Sequence, residues 1–541
     1  MLSLLVTAAT SLAACGSGTG SGGTGAVLHI GTTYPIDSMN PFVAQSDYSY
    51  AVYEYVYPQL VQYNAKLQII PDFAQSWSTS SDGRTWTFHT VPNAKWSDGK
   101  PLTAADVAWT INEVMKYKNG PAGQWAGLLE HMIGASAPNP TTLVIKYSTA
   151  VANVLEQMQS MSVLPRQVWA PYFTGKGTQL KTYPNVPHGK PMVSGGPFEL
   201  VRYKANQYAL FKRNPYWWGP KPKIKGFGLQ FFSNADAMVQ ALKNGQVDFI
   251  GEYTPPTAVA ALKQAGFVVT TTPSISMKTF IINTNPHKTT HTELLNPKVR
   301  QAIEYATDRQ QIVKTAWLGL AQPGSTIIAP ADGTWHNPNI KVEPFNLAKA
   351  NQLLNSAGYK MGPNGIRIAN GHPMSYNVIF PPDERGTGDR TFQIMQADLR
   401  KIGIAITQQN MDDAATFNAI SHANYRTFDM AMWDWVPPVD PDFMLSVLTC
   451  AQLGNNSDSG YCNAAYDRMY AKQSTLISTA ARQKLIWQMQ QYAYSAKPYI
   501  ILDYPDIIEA HSTKWTGFTV SPVMGSVNSL SMQTLLNVHP S

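Results

Sequence analysis

Alternation of large apolar with polar residues marks strands in the first half of the chain. Thr85–Val91 (TWTFHTV) alternates after an Asp82-Gly83 turn, and Thr141–Ser148 and Gln207–Asn214 repeat the pattern. Helical spacing takes over elsewhere, with legible ends. In Pro101–Met115, Thr103 and Asp106 stand at capping-box spacing, and Val107, Ile111, Val114 and Met115 form one apolar stripe. Asn234 caps a helix that Gly245 stops. Asn296–Val313 reads as a helix capped by Asn296, begun on Pro297 and buried through Val299, Ala302, Ile303 and Ala306. Asn346 opens another that ends at Gly358. Arg390–Ile404 stops at Gly403 and leads into the strand-like IAITQQ. Strands and helices mix without strict alternation and without a short repeat, which fits several α/β or α+β domains.

The first fifteen residues, MLSLLVTAATSLAAC, are apolar but too short to span a bilayer. They read as the core of a signal peptide. No basic residues precede it, so the natural start is expected to lie upstream. The end of the run, Leu12–Cys15, resembles the lipobox of bacterial lipoproteins, in which the cysteine is lipidated. Cys15 is therefore the expected lipid anchor, and the Gly/Ser-rich residues 16–26 its flexible tether. The chain has three cysteines. With Cys15 lipidated, Cys450 and Cys462 remain as a pair, expected to oxidise outside the cytosol.

At 541 residues the chain is too long for one core, so two or three domains are expected. Charged residues make up 14%, well below the usual quarter, and aromatics 11%. A surface carried by Asn, Gln, Ser and Thr suits an extracellular protein. The net charge of +7 is dilute over this length and forms no basic stripe, so no nucleic-acid partner is expected. No nucleophile elbow, metalloprotease motif or Walker loop occurs. The 11 histidines are scattered, and Asp412-Asp413 reads as a solvated helix start. The expectation is a protein that is not an enzyme, with no cofactor and no metal.

Pro71–Thr110 (PDFAQSWSTSSDGRTWTFHTVPNAKWSDGKPLTAADVAWT) resembles the signature region of extracellular solute-binding proteins of family 5, the oligopeptide, dipeptide and nickel binders of ABC importers. The resemblance recurs in family order through Ser194–Gly219, Met238–Phe249, Ile282–Pro286, Asn296–Val313 and Phe345–Tyr359. It implies a two-lobed periplasmic-binding-protein fold of mixed α/β class (type II, cluster C) with an extra inserted domain. Lobe I would comprise 27–57, 194–283 and 500–541, the inserted domain 58–193 and lobe II 284–499, after a signal peptide at 1–15. The implied function is capture of a peptide or peptide-like solute. The closed form would deliver it to a membrane permease driven by a separate ATPase. The protein would be a monomer held to the membrane by lipid. Non-peptide solutes (opine, oligosaccharide, metal chelate) and a sensory or chaperone-like receptor are the alternatives.

The resemblance also points to a site. In peptide-binding members a Trp in the second lobe is followed three residues later by an Asp that pairs with the ligand's ammonium. Trp433 matches that Trp, but Val436 stands where the Asp is expected, and Asp434 is the nearest acid. Asp440 follows in the family's Asp-Pro-Asp motif. Trp433, Asp434, Trp435 and Val436 are thus the expected ligand contacts; strand alternation offers the other arrangement, both tryptophans in the core and Asp434 opposite. The family's Asn-Pro turn, here Asn40-Pro41, precedes a backbone that pairs with ligand, which points to Ala44, Gln45 and Ser46. Arg385, in a polar loop before a helix, is a candidate clamp for a carboxylate. Tyr34 and Asn283 complete the set.

Overall fold

The structure, a computed structural model, describes residues 25–541 except 35, 45, 185–189, 252–253, 382–385, 424 and 524–531. Cys15, Gln45 and Arg385 therefore lie outside the described residues, as does most of the tether.

The strands and helices arise where the pattern put them. Thr85–Thr90 and Thr142–Tyr147 bury Trp86, Phe88, Leu143 and Ile145 on alternate positions. Thr103 and Asp106 form the capping box of the helix Ala104–Tyr117. Asn234 and Asn346 cap their helices, and Gly245, Gly358 and Gly403 follow helix ends with positive φ. One expectation is corrected. Asn296–Val313 is two helices, Pro297–Tyr305 and Arg309–Thr315, because the Asp308 side chain caps the second by accepting from Gln311 N.

A large mixed sheet organises the chain. Its order is Ala405–Asn410, Ser375–Phe380, Met430–Trp435, Met277–Ile282, Tyr499–His511, Phe249–Ile250, Val27–Thr32, Gly226–Phe231, Tyr208–Arg213, Phe198–Lys204. The long strand Tyr499–His511 joins two half-sheets. Its beginning pairs with Met277–Ile282, and its later part with Val268–Pro273 and Phe249–Ile250. The chain thus crosses between the halves at 273–277 and again at 503–506. The half containing Met430–Trp435 is covered on both faces by separate apolar cores, as expected where parallel strands lie at its centre. On the other side, one core runs from the N-terminal half-sheet into a four-stranded antiparallel sheet formed by Ala74–Thr79, Thr85–Thr90, Thr142–Tyr147 and Met132–Asn139.

The two sides meet through apolar and polar contacts. Tyr63, Ile275, Val439 and Val523 form a small shared cluster. The backbone N–H of Ala152 donates to Ser474 O at 2.9 Å. No helix among the described residues is long and apolar enough to cross a membrane.

Candidate functional site

The segment Met430–Trp435 is a strand, so its side chains alternate. Its pairing with Met277–Ile282 sets Trp435 opposite Met277, Asp434 opposite Lys278 and Trp433 opposite Thr279. Trp433 and Trp435 therefore share one face and pack, half-buried, against the core that contains Met277, Ile281 and Ala431. Asp434 is on the opposite face. Of the two arrangements open to the sequence, the structure takes the second for the strand, while the exposure of both rings keeps them at the margin of that core. Val436, just past the strand, is half-buried too.

The acids near this strand have partners. Asp434 forms an ion pair with Lys278 at 3.2 Å, with side chains 18% and 12% exposed. Asp440 is gripped in bidentate fashion by Arg482, Nη1 to Oδ2 at 2.5 Å and Nη2 to Oδ1 at 2.7 Å. Arg482 also donates through Nε to Gln473 and stacks on Trp335. Asp440 is thus a structural counter-ion. Asp458, buried in the loop closed by Cys450 and Cys462, accepts from the Trp435 indole at 3.0 Å and from the Tyr499 hydroxyl. Burial pushes its carboxyl up to about 6, against the pull of those two donors. Gly460, two residues on, has φ of 65°, and a Cβ there would stand 2.7 Å from the Asn285 Cβ, so the loop packs closely only with glycine.

The remaining expected contacts do not gather around this strand. Ala44 is buried in the first core; its N–H donates to Asn40 O and its carbonyl accepts from the Tyr50 hydroxyl. Ser46 caps the helix Asp47–Val56 by accepting from Tyr48 N. These groups serve the turn and the helix. Tyr34 is half-buried beside Tyr48. Asn283 is fully buried. Its amide donates to Tyr425 O and Phe428 O, and its oxygen accepts from Asn285 N, so it fastens a loop of the second half.

Sequence reasoning missed Lys278, Asp458 and Arg482, which reach this region from distant segments. It also missed a group of acids where the two sides meet. Glu156, on the helix Val154–Ser160, feels Asp440, Asp442 and Arg482, and its carboxyl is pushed up to about 8, chiefly by burial. Asp332 is likewise raised by burial and by Asp440. No set of three or more His, Cys, Asp or Glu among the described residues is arranged to hold a metal ion.

Comparison with known proteins places this arrangement. The model of bacterial extracellular solute-binding proteins, family 5 (middle), matches residues 68–455, well over half of the chain. The nickel-binding periplasmic protein of Escherichia coli (strain K12) is 28% identical over 423 residues, covering 77% of each chain. Protein XP55 of Streptomyces lividans is 26% identical over 530 residues, covering 96% of this chain and 91% of its own. Among solved structures, the periplasmic binding protein DppA from Helicobacter pylori, in complex with the peptide STSA, superposes with a TM-score of 0.77. It is 22% identical and covers 95% of this chain and 98% of its own, and so shares the fold.

Proposed function

The chain belongs to the bacterial extracellular solute-binding proteins of family 5, and from that premise we propose that it captures a peptide or peptide-like solute between two lobes outside the membrane. The observation that carries this reading is the double crossing at 273–277 and 503–506, with the strand Met430–Trp435 ending beside it. Two connecting strands let two half-sheets turn about one line, and half-buried indoles at that line supply apolar contact at low entropic cost. Ligand contacts to both sides would favour the closed form. Trp433, Trp435 and Val436 are the proposed apolar contacts; Tyr34 and Arg385 remain candidates from the sequence. The H. pylori relative holds a peptide, which makes a peptide the first candidate; the nickel-binding relative makes a nickel chelate the competing cargo. The chain performs no catalytic step in this reading. In this reading Cys15 anchors it by lipid, and a permease with its ATPase receives the cargo.

Thermal unfolding with candidate solutes tests the reading. A short-peptide pool at about 100 times its Kd should stabilise the protein by ~2.7 kcal/mol, and Trp435→Ala should diminish that gain. Stabilisation by a nickel–histidine chelate and not by peptides would reassign the cargo.

An extracytoplasmic setting also makes the Cys450–Cys462 bond consequential. Replacing both cysteines by serine should lower stability by about 3 kcal/mol, the scale for a loop of this order. It should also loosen Asp458 from the Trp435 indole. Denaturant unfolding, read by tryptophan fluorescence, measures both; equal midpoints for the two proteins would remove the bond from the stability of the lobe.

A further inference from the structure

The second half of the molecule holds a small pocket that solute capture does not use. Its walls include Glu304, Ser325, Thr326, Tyr494, Lys497 and Tyr499, and it has room for about one particle the size of a water molecule. Two buried cations meet there on one carboxylate oxygen. Arg309 Nη2 lies 2.9 Å from Glu304 Oε1, and Lys497 Nζ lies 3.8 Å from the same atom; the three side chains are at most 4% exposed. The distance from Lys497 is too long for a hydrogen bond. Its ammonium rests instead 3.5 Å from the centre of the Tyr494 ring. Arg309 donates through Nη2 to Glu304 and through Nε to Ile501 O, but its Nη1 is buried with no partner among the described residues. Ile501 also lines the pocket, which sets the guanidinium against its wall.

The charges here do not balance. Burial pulls the Lys497 pKa down, Glu304 and Glu343 act against that, and Arg309 adds to it. Glu343 stands outside the lining, half-buried, where it accepts from the Tyr494 hydroxyl at 2.6 Å and feels Lys349. Lys497, Arg309 and Lys349 thus face only Glu304 and Glu343, and at the pocket itself two cations share Glu304. Cationic N–H donors without an acceptor and an excess of buried positive charge are each costly, and one bound anion answers both. A water molecule would answer only the first. We infer that this pocket binds a single small inorganic anion, a halide such as chloride, held by the Lys497 ammonium and Arg309 Nη1. Sulfate, phosphate and carboxylates are larger than the space. The ion would fasten the end of the helix Thr479–Ala496, which Lys497 caps in a left-handed conformation (φ 51°), to the start of the strand Tyr499–His511. The site is independent of the cargo.

Crystals of the full chain grown in sodium bromide test the site directly: anomalous scattering should show a bromide between Lys497 Nζ and the Arg309 guanidinium. Thermal unfolding at constant ionic strength supplies a second reading. As chloride replaces gluconate, Tm should rise by about 2 °C and then level off. Lys497→Met should abolish that saturable rise. Glu304→Gln, which removes the competing charge and keeps an acceptor for Arg309, should reach saturation at about a tenth of the chloride concentration, whereas a purely structural ion pair gives no such change. Absence of bromide from the pocket overturns the inference, whatever the variants do. So does a chloride response, or a lack of one, that is the same in the wild type and a folded Lys497→Met protein. If that variant does not fold, the bromide position and Glu304→Gln decide, and an unchanged half-saturation in Glu304→Gln counts against the site.

Discussion

Arg482→Ala is expected to cost the protein about 3–5 kcal/mol of stability, the range for removing one partner of a buried ion pair. Both partners are within about a twentieth of full burial, and the guanidinium meets the Asp440 carboxylate with two parallel bonds. The substitution would strand Asp440 in a region that also holds Asp442, Glu156 and Asp332. Asp442 itself leans on Gln473 and Tyr470 rather than on a cation. The loss also includes the stacking on Trp335 and the bond to Gln473. Urea unfolding measures it. Adding Asp440→Asn should restore part of the loss, because it removes the stranded charge. A loss below about 1 kcal/mol would show that water reaches the pair and that the burial is nominal.

Glu156→Gln should stabilise the protein at pH 9 and leave it nearly unchanged at pH 5. The carboxyl of Glu156 is raised from its ordinary 4.5 to about 8, first by burial, then by Asp440 and Asp442 against the pull of Arg482. Tyr63, also buried there, faces the same groups. The folded chain therefore holds a proton that the unfolded chain releases. Its contribution is fully present below pH 4.5 and is lost as pH rises through about 8. Glutamine keeps the neutral form at every pH. The shift sets an upper limit of ~5 kcal/mol for the difference at pH 9, and a gain of several degrees in Tm is the expected reading. Because Glu156 belongs to the first side of the molecule and Asp440 to the second, parting of the two sides would relieve the same strain. Solution scattering should then find the wild type more open at pH 9 than the variant. Parallel melting curves for both proteins from pH 5 to 9 would sink the assignment of a raised carboxyl at this interface.

Much of the architecture was legible because local rules dictate it. A threonine and an aspartate three apart satisfy each other's backbone at the start of Ala104–Tyr117, whatever lies around them. Alternation in Thr85–Thr90 records one wet and one dry face. The break at Ala306–Asp308 was legible in principle too, since an aspartate followed by polar residues is a cap as readily as a helix interior. The apolar stripe, continuous up to Ala306, hid it. The site was less legible. Trp433, Asp434 and Trp435 are adjacent in sequence, but a strand sends neighbours to opposite faces, so adjacency gave no shared surface. Ala44 and Ser46 sit where the family pattern points, yet their polar groups are engaged by Asn40, Tyr50 and the helix they precede.

The sequence by itself determined the class of elements, their ends and the extracytoplasmic family pattern, because each depends on contacts within a few residues or on an ordered set of motifs. Tertiary structure alone decided the charge state of the site. Lys278 meets Asp434, Arg482 meets Asp440 and Glu156 comes under the influence of Arg482 and Asp440 only after strands and helices far apart in the chain are brought side by side. Electrostatic partnership is set by distance in space and by exclusion of water, and neither is written in the order of residues.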